Sequence, residues 1–258
     1  MSDFKIAISA GHGKYTAGKR CDKRLDPNQT REWVLNARIV EKIEALLKPY
    51  CGYDLLRLDD CTGETDVILK TRSKAANAWG ADLYLAIHHN AGVKGGSGGG
   101  IVAFVYTKAS SESIAWQGAL YKALIDETGL KGNRSNPLAK ANLHECREPH
   151  APAVLLELGF MDSSRDVPVI LTEKFADQCA KAIVDVIVKR ANLTKGFRTY
   201  LTRITADVLN VRAGASTSYD VVAQVKKGEV YTIVDERNGW GKLKSGVGWV
   251  SLKYCEKL

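Results

Sequence analysis

The stretch Leu83-Tyr-Leu-Ala-Ile-His-His-Asn-Ala91 restricts the architecture of this chain more than any other part of its sequence. Five strand-favouring residues run without a polar break into two histidines and an asparagine. A run apolar on both faces belongs inside a sheet covered by helices on both sides. Open α/β sheets take their ligands at the carboxyl ends of the strands, where His88 and His89 fall. Neighbouring strand residues point to opposite faces, so the two rings do not serve one ion, and His89 is a rival to His88. Alone, the pair also fits two ordinary histidines at a strand end.

Other segments offer chemistry to the same place. Phe4–Ser9 reads as a short strand closing on Ala10-Gly-His-Gly13, and the flanking glycines let the backbone turn sharply around His12. Thr30 is expected to cap a helix over 31–48 whose core stripe is Ile39, Ile43, Leu46 and Leu47. Counted back by three and four, that stripe reaches Asn36 and Glu32. A carboxylate in line with a buried face needs a partner, or must reach water at the helix end. The apolar strand 153–158, Ala-Val-Leu-Leu-Glu-Leu, holds a second misplaced carboxylate, Glu157.

Between these lie a strand at 53–57 and a helix at 66–79, with Val67, Ile68, Leu69, Ala75, Ala76 and Trp79 facing inward. Strand, helix and strand then form a parallel crossover. The glycine-dense 95–100 lacks the Gly-Lys-Ser/Thr ending of a phosphate loop and reads as a turn. A strand at 101–105, a helix at 113–128 stopped by Gly129, a polar loop at 130–141, a short strand at 142–146 and an amphipathic helix at 174–190 complete the expected order. The fold class is α/β, with a mostly parallel or mixed sheet between two helix layers. Residues 1–191 form this domain, 192–203 a linker, and 204–258 a small all-β barrel. The barrel's expected strands are 208–212, 221–225, 230–234, 239–243 and 248–251. No glutamate or histidine cluster appears there, so it reads as a binding module.

The 258 residues carry a net charge of +8, which favours an anionic partner such as nucleic acid, a membrane surface or a cell wall. The charge is dispersed: residues 200–258 hold 9 Lys/Arg against 6 Asp/Glu, and the remainder 28 against 23. Without a basic block interleaved with aromatics, neither nucleic acid nor membrane is the expected partner. The six cysteines (21, 51, 61, 146, 179 and 255) form no Cys-x-x-Cys pair, which argues against a zinc ribbon or a disulfide scaffold. They fit reduced thiols of a cytoplasmically made protein. The start, Met-Ser-Asp-Phe, has neither the basic region nor the apolar run of a secretory signal.

His12, Glu32 and His88 make a two-histidine, one-carboxylate set. Such a set holds catalytic zinc with one position left for water, and it also serves non-haem iron. Glu157 then has a task, taking a proton from the attacking water and giving it to the departing amine. Its apolar setting should raise its pKa toward neutrality. His144 and His150 lie near Glu157 in sequence and read as surface residues or as contacts around the site.

At these residues the chain resembles the zinc-dependent N-acetylmuramoyl-L-alanine amidases of the amidase-3 family. The matching pieces are Ile8-Ser-Ala-Gly-His-Gly13, Glu32 with Asn36, Arg72 with Ala76-Asn77, Ala81-Asp-Leu-Tyr-Leu-Ala-Ile-His88 with Asn90-Ala91, and Pro152-Ala-Val-Leu-Leu-Glu-Leu-Gly-Phe160. The resemblance implies zinc on His12, Glu32 and His88, with Glu157 catalytic. It also implies a substrate: the amide joining the lactyl group of N-acetylmuramic acid to L-alanine in peptidoglycan. The family strand ends in histidine, a small residue and asparagine, and here His89 fills the small position.

The C-terminal part is similar to bacterial SH3 domains, through Leu209-Asn-Val-Arg212, Gly214, Ser216-Thr217, Tyr219, Val225, Gly228, Gly239-Trp240 and Gly248-Trp249-Val250. Such modules are associated with attachment to cell walls. Trp240 and Trp249 are either stacking platforms or buried barrel residues. Together the two resemblances imply an enzyme that cleaves Gram-positive cell wall. It would be made in the cytoplasm without a signal peptide and act at the wall after release, as a phage or prophage endolysin does. A host autolysin of the same chemistry and a non-catalytic wall binder are the alternatives. The second would have no need of a carboxylate at Glu157.

Overall fold

The apolar run at 83–87 forms the interior strand that its composition demands. The structure, a computed structural model, describes residues 3–258. In chain order the elements are β1 (Phe4–Ala10), α1 (Glu32–Leu47), β2 (Tyr50–Cys51), β3 (Tyr53–Arg57), α2 (Leu69–Trp79), β4 (Leu83–Asn90), β5 (Ile101–Tyr106), α3 (Ser111–Thr128), β6 (Leu138–Ala141), α4 (His144–Arg147), β7 (Ala153–Phe160), α5 (Val167–Ile170) and α6 (Glu173–Arg190). There follow β8 (Thr194–Lys195), β9 (Tyr200–Ile204), β10 (Val208–Arg212), β11 (Val221–Lys226), β12 (Val230–Arg237), β13 (Trp240–Leu243), β14 (Trp249–Ser251), a 3₁₀ turn at Leu252–Tyr254, and β15 (Cys255–Lys257). Contacts divide the chain into one unit running to Lys48 and from Gly52 to Thr194, and a second made of Pro49–Cys51 and Lys195–Leu258.

The first unit is a six-stranded sheet in the order β3-β1-β4-β7-β5-β6. Neighbours are parallel throughout, except that β5 runs antiparallel to β7. The sheet is therefore mixed. Tyr84, Ala86, Ala153 and Leu155 face Ala76 of α2 and Cys146 of α4 in one buried cluster. The opposite face of β4 meets α1, which packs on α6, and α6 in turn packs on α3. At the β4–β7 seam the register runs from His88↔Glu157 to Asn90↔Phe160, so β7 carries one extra residue. Gly159 takes this bulge with φ +108°, and a Cβ there would lie 2.8 Å from Ile170 Cγ2. Bulges of this kind re-aim side chains beside functional sites.

Several local expectations need correcting. Arg31, not Thr30, is the N-cap of α1 and makes no side-chain cap bond; Thr30 instead donates its amide to Asp26. The α1 stripe contains Ile39, Ile43 and Leu47, but Leu46 is 43% exposed. The helix already spends its inward face on Val40, Ile43 and Leu47, and the 100° step per residue turns Leu46 outward. Helix α2 starts at Leu69 rather than 66, and Ile68 and Leu69 are exposed. The inward place goes to Arg72, whose guanidinium is fully occupied by hydrogen bonds.

Residues 142–146 are not a strand. Leu143 and Cys146 both join the α2-side cluster, and a spacing of three puts two residues on one face of a helical turn, not of a strand. The expected loop at 130–141 ends in β6.

The second unit is a seven-stranded antiparallel sheet in the order β11-β10-β14-β13-β12-β9-β15 around Ile204, Leu209, Val211, Val225, Ile233, Leu243 and Val250. The five expected strands are present. The stretch expected as linker contains β8 and most of β9, which pairs with β12 on one side and β15 on the other. Thr202 and Ile204 alternate inward there, but polar neighbours obscure the pattern in sequence. Trp249 is buried with the Arg237 guanidinium over its ring, while Trp240 is half-buried.

The contrast on α1 gives a direct test. Ile43→Ala should cost about 2–5 kcal/mol of stability by urea unfolding, and Leu46→Ala within about 0.5 kcal/mol of nothing. Equal losses would contradict the placement of the stripe.

Candidate functional site

Three segment ends meet at the carboxyl edge of the sheet. His12 follows β1, Glu32 opens α1, and His88 lies near the end of β4. One donor atom from each lies within 4.8 Å of the others. His88 Nδ1 stands 3.1 Å from Glu32 Oε1, and His12 Nε2 stands 3.4 Å from Glu32 Oε2. The two imidazoles meet edge to face, with centroids 5.0 Å apart and planes at 89°. Glu32 is 1% exposed, and its Oε2 is sealed from solvent and faces the His12 and Lys19 nitrogens. Two ring nitrogens and a carboxylate oxygen are a donor set that suits a divalent metal ion.

The backbone around His12 is held in an uncommon conformation. His12 has φ +66°, in the left-handed region, which costs a non-glycine residue on the order of 1 kcal/mol or more. Hydrogen bonds hold it there. Arg72 donates to Ala10 O and His12 O, Asn36 Nδ2 donates to Gly11 O, and the Ala10 amide donates to Asp59 Oδ1. Gly11 leaves the space for His88, since a Cβ there would sit 2.1 Å from the ring's Cε1.

His89 faces away, as the strand period requires. Its Nδ1 stands 2.8 Å from Asn36 Oδ1, and burial pushes its pKa down to about 3. The neutral ring therefore donates Nδ1–H to Asn36 and helps orient the amide that holds the Gly11 carbonyl. His144 Nε2 pairs with Ser73 Oγ at 3.1 Å, and His150 is exposed with its amide on Asn77. Neither belongs to the converging set.

Glu157 is the register partner of His88 on the neighbouring strand, so both side chains leave the same face. Its Oε2 is buried and unpartnered, and desolvation pushes its carboxyl up to about 7. Burial alone would raise Glu32 as well, but hydrogen bonds from His12 and His88 hold it well below the usual carboxylate range. Burial opposes charge on His88, yet its hydrogen bonds to Glu145 and Glu32 carry it up to about 10. Two carboxylates in one neighbourhood thus titrate far apart, Glu157 near neutrality and Glu32 well below it, the pattern that separates proton-handling from charge-holding groups.

Sequence reading missed Glu145 and Lys19. Glu145 Oε2 stands 3.0 Å from His88 Nε2, and Lys19 Nζ stands 3.7 Å from Glu32 Oε2. The available signal was Tyr84, whose hydroxyl inside an apolar strand requires a buried partner and finds it in Glu145. A cavity of about 430 Å³ opens beside the site, lined by His12, Asp66, Val67, Ile68, Leu69 and His88.

Residues 6–189 match the N-acetylmuramoyl-L-alanine amidase family, and residues 207–256 match the bacterial SH3 domain. The chain is 28% identical over 215 residues to the sporulation-specific N-acetylmuramoyl-L-alanine amidase of Bacillus subtilis (strain 168), covering 83% of this chain and 78% of that one. It is 30% identical over 193 residues to the endolysin of Bacillus phage SPP1, covering 74% and 67% respectively. Among solved structures, an N-acetylmuramoyl-L-alanine amidase from Clostridium difficile 630 superposes with a TM-score of 0.66 at 24% identity, over 74% of this chain and 98% of that one.

Two outcomes follow from the geometry. Gly11→Ala should displace the His88 ring and weaken divalent-metal binding in a chelator competition, with the rest of the fold intact by circular dichroism; unchanged affinity would contradict the close approach. In metal-free protein the unfolded chain ionises Glu157 from about pH 4.5 while the folded chain keeps its proton to about pH 7, so the penalty grows across that interval, small at pH 5 and complete at pH 8.5. Glu157→Gln should therefore gain stability relative to the parent between those two pH values, by on the order of 3 kcal/mol in urea unfolding. A difference independent of pH would contradict the buried, neutral carboxyl.

Proposed function

The chain belongs to the N-acetylmuramoyl-L-alanine amidase family, and on that premise we propose that it works with zinc, held by His12, Glu32 and His88, and that Glu157 is the catalytic proton carrier. The observation that carries this reading is the convergence of three donor atoms within 4.8 Å, with Glu157 in register beside one of them. Zinc bound there supplies a carbonyl-polarising charge and a water that ionises near neutrality.

The chain's own residues do the remaining work. Glu157 takes the proton of the attacking water on its free carboxylate oxygen. It returns that proton to the nitrogen of L-alanine as the bond to the lactyl carbonyl carbon breaks. A pKa near 7 suits both directions of transfer. Ile68 and Leu69, exposed at the cavity, offer an apolar wall to the lactyl and alanyl methyl groups. Asn36, Arg72 and Asp59 hold the His12 turn still, so the donor set is formed before substrate arrives.

Under this reading, residues through 191 cut the wall and the C-terminal barrel holds the protein against it. The likeness to the phage SPP1 endolysin supports a role in host lysis, with synthesis in the cytoplasm and action on the wall after release. Retention of Glu157 in an apolar strand speaks against a non-catalytic wall binder, which would shed so costly a group.

Purified Gram-positive walls digested with zinc-loaded protein should release new alanine amino termini without new reducing sugars, and chelation should stop the release. Reducing ends, or no release with zinc present, would overturn the assignment. Glu157→Gln should keep its zinc and lose turnover by about two orders of magnitude or more. Near-parental turnover would remove Glu157 from the mechanism.

A further inference from the structure

Behind the converging set, on the side of His88 away from Glu32, lies a carboxylate that the proposed reaction does not use. Glu145 is 3% exposed. Its Oε1 accepts a hydrogen bond from the Tyr84 hydroxyl at 2.9 Å, and its Oε2 stands 3.0 Å from His88 Nε2. Tyr84 is itself fully buried, four residues before His88 on the same face of β4. A tyrosine hydroxyl, a carboxylate and an imidazole thus form a chain inside an otherwise apolar cluster. Burying such groups is rarely a net gain in stability, so their presence calls for another use.

The mount is rigid. The segment bearing Glu145 is fastened to α2 by Ser73 Oγ to His144 Nε2 at 3.1 Å, by Asn77 Nδ2 to the Glu148 carbonyl at 3.0 Å, and by the His150 amide to Asn77 Oδ1 at 2.8 Å. Glu145 therefore meets the ring from a fixed direction. An unprotonated carboxylate accepts only, so the ring proton it faces must lie on Nε2. Nδ1 faces the Glu32 carboxylate 3.1 Å away, so the metal-free ring carries a proton there too, and it is this proton, on the side of the converging set, that a metal ion would displace.

We propose that Glu145, itself held by Tyr84, is a positioning residue that fixes His88 as the Nε2–H tautomer and presents Nδ1 to the metal. The inference rests on the reading that His12, Glu32 and His88 hold zinc. Carboxylates that hold the far nitrogen of a ligating histidine also raise its basicity, and losing one typically costs about tenfold to a hundredfold in metal affinity.

The test uses full-length zinc-loaded protein, with zinc affinity from chelator competition and the His88 ring proton from long-range ¹H–¹⁵N spectra. Glu145→Gln should bind zinc about tenfold or more weakly, and the parent spectrum should show the proton on Nε2. Tyr84→Phe removes only the outer hydrogen bond and should give a smaller loss in the same direction; it decides the matter if Glu145→Gln does not fold. A purely structural role would lower the melting temperature of the metal-free variants and leave the zinc constant unchanged. Zinc constants unchanged in the folded variants, or a His88 proton on Nδ1 with Nε2 ligating in the zinc-loaded parent, would overturn the inference. His12→Ala separates the two claims. If it loses zinc while Glu145→Gln does not, the metal site stands and the role of Glu145 falls; if parent and His12→Ala bind zinc alike, both fall.

Discussion

A carboxylate almost wholly withdrawn from water, Glu32, is the charge around which the catalytic unit is arranged. An isolated buried anion is far too costly to persist, so every neighbour that approaches it must be a donor or a cation. Here the neighbours are His12, His88, the His89 amide and the Lys19 ammonium. They come from the turn after β1, the end of β4 and the loop before α1, so the stability of this one charge depends on three segment ends being in place together. A divalent ion among the same donors would complete the compensation, which links folding at this edge of the sheet to metal binding.

The precision of the donor set comes from residues outside it. Arg72 spends its buried guanidinium on the carbonyls before and at His12, and Asn36 spends its amide on Gly11. These bonds hold a histidine at positive φ, a local strain that the surrounding network sustains. The bulge at Gly159 lets β7 continue past Glu157 while keeping that carboxyl alongside His88. Site geometry thus rests on a sheet whose register changes beside the converging set.

Much of this was legible in the sequence because the fold advertises its exceptions. The doubly apolar run at 83–87 announced a covered strand, and Glu32 and Glu157 stood out because a carboxylate in an apolar pattern needs a reason. What escaped notice lacked that contrast. Glu145 sits in the polar run Asn142–Arg147, where one more charge draws no attention, and the helical turn that buries it depends on Leu143 and Cys146 at a spacing too short to show a period. Likewise β9 alternates, but Thr202 supplies a buried position with a polar residue. Ile68 and Leu69 looked like core by composition, yet Arg72 takes the inward place because the carbonyls around His12 need its donors more than the core needs a methyl group.

The central claim is that side chains distant in the chain share one ion. An anomalous difference map at the zinc edge, from crystals of the metal-loaded protein, tests it most directly. A single strong peak bounded by His12, Glu32 and His88 is expected, with Glu157 beside it and outside bonding distance. A peak elsewhere, or none at that place with the two rings turned apart, would contradict that claim.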